Sequence, residues 1–302
     1  MKKITLTILV LSITLSSFAC PFCGCGVGNF YLGLLPDFQK RFIGLRYQYL
    51  PYQTHIKGDE TQFSKDYYHT IELWGGISLG KKWQILGFIP YQINYQKTDD
   101  GIKKMSGISD VSALANYKLL DKTKMGEGRS TAQQLWIGGG IKMPTGKYHI
   151  DPNNPNTELG DVNSQAGTGS IDFLLNSSYN LRFNKIGINT SATYKINTKN
   201  NEDYQFGNRF NASSFVFYAA RMKSATLSPN IGLLYQHSAT NHFNNTKVDF
   251  TGGHLAMAAA GIELGLRKIT IGGNVQLPFS QSFAAGQTEA KTRAMIHMSF
   301  SF

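Results

Sequence analysis

The decapeptide Arg293-Ala294-Met295-Ile296-His297-Met298-Ser299-Phe300-Ser301-Phe302 alternates by twos. Ala294, Ile296, Met298, Phe300 and Phe302 fall on one side; Arg293, Met295, His297, Ser299 and Ser301 fall on the other. Side chains alternate across a strand, so this segment predicts a strand with one apolar and one mostly polar face. The pattern recurs upstream as far as Phe42. Ile43, Leu45, Tyr47 and Tyr49 oppose Arg46 and Gln48; Ile71, Leu73, Ile77 and Leu79 oppose Glu72 and Ser78. Trp83, Ile85, Ile89, Tyr91, Ile93 and Tyr95 oppose Gln84, Gln92 and Asn94, and Phe206, Phe210, Ala212, Val216 and Tyr218 oppose Arg209. In all there are about 12 such segments of roughly 9–11 residues, the length of a tilted membrane-spanning strand.

The connections give an independent reading. Those at 51–66, 96–107, 145–165, 237–253 and 278–290 are long, and those at 80–82, 180–185, 221–224 and 267–268 are short. The one at 121–131 is intermediate. Barrels of the outer membrane have long extracellular loops, short periplasmic turns and an even strand number, and a soluble sandwich has no reason for such alternation. Tyr47, Tyr49, Tyr91, Tyr95, Tyr117, Tyr179, Tyr194, Tyr218, Tyr235, Phe300 and Phe302 cluster near the ends of the apolar faces, where interfacial girdles lie. The expected fold is therefore all-β: a closed antiparallel transmembrane β-barrel of about 12 strands over 42–302, in the outer membrane of a Gram-negative bacterium, with both termini periplasmic. The last ten residues resemble the C-terminal strand of bacterial outer-membrane barrels, whose terminal aromatic is read by the barrel assembly machinery. That resemblance implies Phe302 as the contact with that partner.

Composition agrees. Charged residues are 16% against a usual value of about 25%, aromatics reach 12%, and mean hydropathy is −0.23. That average excludes a bundle of membrane helices, each of which needs about 20 apolar residues. Only residues 4–15 form an apolar run. It follows Lys2 and Lys3 and precedes Ser17-Phe18-Ala19, so residues 1–19 read as a secretory signal peptide. Its removal lowers the formal net charge from +11 to +9. A basic exported protein points to an anionic membrane surface; export and the lack of a binding motif argue against nucleic acid.

Residues 20–41 are a Cys-rich periplasmic segment. Cys20, Cys23 and Cys25, in Cys-Pro-Phe-Cys-Gly-Cys, are the only cysteines. Three uses fit them. Cys20 can carry a lipid as a lipoprotein anchor. Two of the three can form a disulfide in an oxidising compartment. Or the thiolates can hold Cu or Zn, since C-x-x-C and C-x-C are ligand spacings. The segment resembles the start of Bacteroidetes barrels of similar type.

Several motifs carry a further resemblance. The run from Gly138 to Tyr148 (GGGIKMPTGKY) resembles a "PTGky" strand end, Gly167-Thr168-Gly169-Ser170-Ile171-Asp172 a "GtGs-D" strand entry, and Gly107-Ile108-Ser109-Asp110 a "GlGD" start. Ile89-Pro90-Tyr91 and Leu277-Pro278-Phe279 resemble recurrent "lPy" pairs. Together they resemble a family of proteobacterial and Bacteroidetes outer-membrane barrels described as transporters or phenol meta-pathway proteins. The resemblance implies a barrel that passes small molecules. It brings no catalytic residues and no substrate.

Arg46, Glu72, Lys118, Lys142, Asp172, Arg209 and Arg293 fall on the inward face and are the candidate lumen-lining or gating residues. If the first and last strands pair, Arg46 is expected near Glu72 and, across the seam, Arg293. No Gly-x-Ser-x-Gly, His-Glu-x-x-His or catalytic carboxylate pair stands out, so no enzyme is expected. The reading is a passive outer-membrane channel for a small-molecule solute, without a resident cofactor. The alternative is a metal-handling barrel that uses Cys20, Cys23 and Cys25.

Overall fold

The computed structural model describes residues 41–56, 59–99, 101–126, 129–148, 162 and 164–302. The expectations for the leader and for Cys20, Cys23 and Cys25 lie outside the described residues. Twelve strands form the wall. They are β1 (Phe42–Ile56), β2 (Asp59–Leu79), β3 (Trp83–Thr98), β4 (Gly101–Ile108 continued by Ser112–Gly126), β5 (Arg129–Lys142) and β6 (Asp172–Phe183). The second half comprises β7 (Ile186–Ile196), β8 (Arg209–Tyr218), β9 (Ala225–Ser238), β10 (Gly253–Leu266), β11 (Ile269–Phe283) and β12 (Arg293–Ser301). Each is antiparallel to its chain neighbour, and β12 returns to β1 in the register Phe42↔Ser301 to Tyr49↔Ala294. Closure gives each of the twelve strands a partner on both sides over the apolar belt, which hydrocarbon demands because it offers no water to satisfy a free N–H or C=O, while beyond it Gly101–Ile108 pairs with β3 alone.

The outer wall is apolar. Ile43, Leu45, Leu73, Ile89, Ile137, Ile231, Leu277, Ile296 and Met298 all stand exposed. In water, so continuous an apolar belt would be an aggregation surface; around a closed barrel it is the lipid-facing band. This is why the alternation of the sequence located the strands.

Three expected loops are something else. The segments 51–66 and 96–107 are paired as strand almost to their tips, with register Ile56↔Asp59 in one and Thr98↔Gly101 in the other. At the opposite end, 121–131 continues as strand to the pair Gly126↔Arg129. Beyond the lipid a strand keeps its ladder but no longer needs apolar residues, so a hydrophobic criterion stops at the bilayer surface while the hydrogen bonding does not. Uninterrupted strand length accordingly runs from 9 residues in β12 to 21 in β2, and β4 has parts of 8 and 15 residues. Phe206 was expected on the outward face of β8. It is buried instead, edge-on to Tyr204 at 4.9 Å, in a loop cluster with Val162.

The interior is not uniformly polar. Phe42, Trp74, Leu86, Phe88, Leu114, Trp136 and Leu174 form a buried cluster along β1–β6. A second, with Tyr52, Tyr68, Phe215, Leu234, Met257 and Phe283, joins β8–β12 to β1 and β2. Between these lie the charged side chains.

Candidate functional site in the barrel interior

Glu72 faces Arg46 in the β1–β2 register, and the Arg46 guanidinium donates to its carboxylate. The same guanidinium lies 5.5 Å from the Trp74 ring centre, a cation–π contact. Across the seam Arg46 stands opposite His297, not near Arg293 as the sequence led us to expect. Arg293 enters β12 above Ala294, the partner of Tyr49, so it sits higher in the wall. There its Nη1 donates to Gln236 Oε1 at 3.0 Å, Nη2 donates to the Tyr52 hydroxyl, and the guanidinium covers the Tyr52 ring at 5.1 Å. Gln236 belongs to β9 and Tyr52 to β1, so one arginine ties widely separated strands together.

Lys118 pairs with Asp121 at 2.7 Å and lies 5.0 Å from the Trp136 ring centre. Asp121 is in the β4–β5 hairpin, and the Lys118 hydrogen bond holds its carboxyl below the ordinary value. Arg209 starts β8 opposite Lys195 and is buried.

The densest grouping surrounds Lys142 and Asp172, which face each other across β5 and β6. Lys142 Nζ is 2.6 Å from Asp110 and 2.9 Å from Asp172, and Lys195 Nζ is 3.6 Å from Asp172. All four side chains are at most 2% exposed. Asp110 also accepts from Gly146 N at 3.0 Å, Thr168 N at 3.0 Å and Thr168 Oγ1 at 2.7 Å. Asp172 accepts from Ser170 Oγ at 2.8 Å and Thr198 N at 3.1 Å. Thr145 Oγ1 donates to Ser109 O at 3.0 Å and accepts from Val111 N. The three motifs that are far apart in sequence therefore meet at one point, and both ends of the 143–171 connection are fastened there.

That fastening requires two backbones to cross in contact. A Cβ on Gly167 would lie 2.8 Å from Gly146 Cα, and no side chain could retreat to relieve it. Gly167→Ala is expected to cost about 1–3 kcal/mol, read as a lowered urea midpoint of the barrel folded in detergent.

The interior also holds Glu263 of β10 and His297 of β12, 3.4 Å apart. They meet over β11 because Gly272 lies between them; a Cβ there would come within 2.7 Å of Glu263 Cγ. The sequence reading passed over Glu263, Asp110 and Lys195 as site residues. The available signal was an isolated charge on the inward side of an apolar strand, as in Ile262-Glu263-Leu264. Among the described residues, no group of three metal-ligating side chains occurs.

An apolar belt outside, a closed antiparallel wall and charges inside define a transmembrane β-barrel. No protein-family model and no curated protein match the chain. Among solved structures it is similar to an outer membrane channel from Pseudomonas putida F1, with a TM-score of 0.65 and 15% identity over 92% of this chain and 100% of that one. It is also similar to the beta domain of the Bordetella autotransporter BrkA, with TM-score 0.49 and 11% identity over 87% of this chain and 100% of that one. A third is the transport unit of the autotransporter AIDA-I from Escherichia coli, with TM-score 0.46 and 9% identity over 90% and 94%. The first of these shows the fold to be that of an outer-membrane barrel.

Proposed function

We propose that the chain is an outer-membrane channel through which small solutes cross passively, with both termini in the periplasm, and that it belongs with the transporter and phenol meta-pathway barrels its motifs resemble. One observation carries this reading. Among the described residues, eleven buried Asp, Glu, Lys and Arg side chains lie on the inner wall: Arg46, Lys118, Lys142, Lys195, Arg209 and Arg293 against Asp66, Glu72, Asp110, Asp172 and Glu263. A barrel that merely filled its interior would be served as well by apolar side chains, since replacing buried ion pairs with them is often neutral or stabilising by about 1–4 kcal/mol. Charges kept inside a wall that could be apolar support a gated passage, in which the paired, buried side chains part to admit solute and water. Six cations against five anions leave the wall nearly neutral, which fits a size filter better than a strong charge filter.

Arg46, Glu72, Lys118, Lys142, Asp172, Arg209 and Arg293 are the proposed lining and gating residues. The test is solute release from liposomes that contain the refolded barrel. Wild type is expected to pass small solutes up to a size limit, with Arg46→Ala and Arg209→Ala each changing the rate severalfold. No release of any solute by wild type, with the barrel inserted, would overturn the channel reading.

A further inference from the structure

The outward face of β1–β4 changes character above the lipid band. Tyr49 stacks on Tyr67 at 6.3 Å, His69 lies 5.2 Å from Tyr49 and edge-on to Tyr95 at 5.7 Å, and the Tyr47 hydroxyl bonds His69 Nδ1 at 2.7 Å. These rings form a continuous floor at the end of the barrel that carries the long connections. Directly beyond it stand Lys65 and Lys97, and Lys104 stands at its edge beside Tyr95; all three are exposed.

Lys65 and Lys97 are register partners on β2 and β3. Lys104 of β4 faces Tyr95 in the register and holds its ammonium 5.3 Å from that ring centre. Lys65 in turn lies 5.8 Å from the Phe63 ring centre, on the same face. Side chains of such partners have Cβ atoms about 5 Å apart, and like charges placed so destabilise the pair. Their other register partners carry no carboxylate: Lys65 faces Gln53, and Lys97 faces Ile102. Three lysines on adjacent strands of one exposed face, two of them register partners, concentrate positive point charges of the kind that bind a phosphate. Two residues past Tyr67 and Tyr95 is roughly 6–7 Å along the strand, the height of the headgroups above an aromatic girdle.

We propose that Lys65, Lys97 and Lys104 bind the phosphate of a phosphorylated glycolipid of the outer leaflet, with the acyl chains lying over the aromatic floor and the apolar band below it. The site rests on the outer-membrane reading only for the leaflet it faces. It does not depend on whether solute passes through the barrel.

The full chain, refolded in detergent, is to be titrated with bis-phosphorylated lipid A, its dephosphorylated form and phosphatidylglycerol, with bound lipid counted by native mass spectrometry. One bis-phosphorylated lipid A per barrel is expected. The K65Q/K97Q/K104Q variant should weaken it about a hundredfold, each lysine contributing roughly fivefold at an anionic surface, and K65R/K97R/K104R should retain it. Heat-modifiable gel migration shows that each variant has folded. Equal binding by the glutamine variant or by the dephosphorylated lipid overturns the site, and equal binding of phosphatidylglycerol shows only a general lipid annulus and overturns it too. Failure of the wild type to insert into any bilayer would instead count against the barrel's membrane role.

Discussion

Asp110→Ala is expected to destabilise the folded barrel by about 3–5 kcal/mol, the cost of breaking a buried ion pair from one side. Asp110 is the hub of the interior network. Its loss removes the 2.6 Å partner of Lys142 and the acceptor for Gly146 N, Thr168 N and Thr168 Oγ1. Lys142 would keep Asp172 at 2.9 Å, so one carboxylate would then face both Lys142 and Lys195. Asp110→Asn removes the charge and one of the two acceptor oxygens. The remaining amide oxygen can still accept from Gly146 N or from Thr168, so the variant should fall between wild type and alanine. Two measurements check this. Urea unfolding of the detergent-folded barrel reads the energy. Limited proteolysis within 143–171 on liposome-embedded protein reads the loop and should accelerate in the alanine variant. Wild-type resistance in Asp110→Ala would mean that the 143–171 connection is held by something other than this network.

The reach of the sequence follows from what each environment demands. The outer wall was legible because lipid accepts only apolar side chains, and it does so at every second residue. Ile43, Leu45, Ile71 and Leu73 could not have been polar, and the period showed it. The inner wall makes no uniform demand. Trp74 sits beside Arg46, and Trp136 beside Lys118, so neither hydropathy nor period separates lining from filling. The inward charges Arg46, Glu72, Lys142 and Asp172 could be assigned to a face, but not to partners. Partners depend on strand register, which for Arg293 proved higher on β1 than a simple seam predicts. The convergence of Asp110, Lys142, Thr168 and Asp172 was hidden for a different reason. Its members stood in the quoted motifs, but a motif read along the chain gives strand-end punctuation, and only the closed barrel brings three strand ends to one point.

The Arg46–Glu72 pair allows structure and function to be weighed against each other. Either single truncation leaves a charge buried: Arg46 and Glu72 side chains are 2% and 7% exposed. Arg46→Ala and Glu72→Ala are each expected to cost about 3–5 kcal/mol, Arg46→Ala adding the loss of its contact with Trp74, roughly 0.5–2 kcal/mol. The double replacement Arg46→Met/Glu72→Leu keeps volume and removes both charges. Its stability should return to that of wild type or exceed it by about 1–4 kcal/mol. The large coupling energy implied can be measured by urea unfolding of all four proteins. If the pair served only to hold β1 against β2, the double variant would also release solute at the wild-type rate. A channel lined by this pair predicts otherwise: an apolar Met and Leu beside Trp74 and Phe88 would extend the buried apolar cluster across the wall, dry that level of the interior and slow polar solutes severalfold in a barrel that is at least as stable. A stable double variant with unchanged release would place the pair in the architecture of the wall and move the search for the gate to the Asp110–Lys142–Asp172 network.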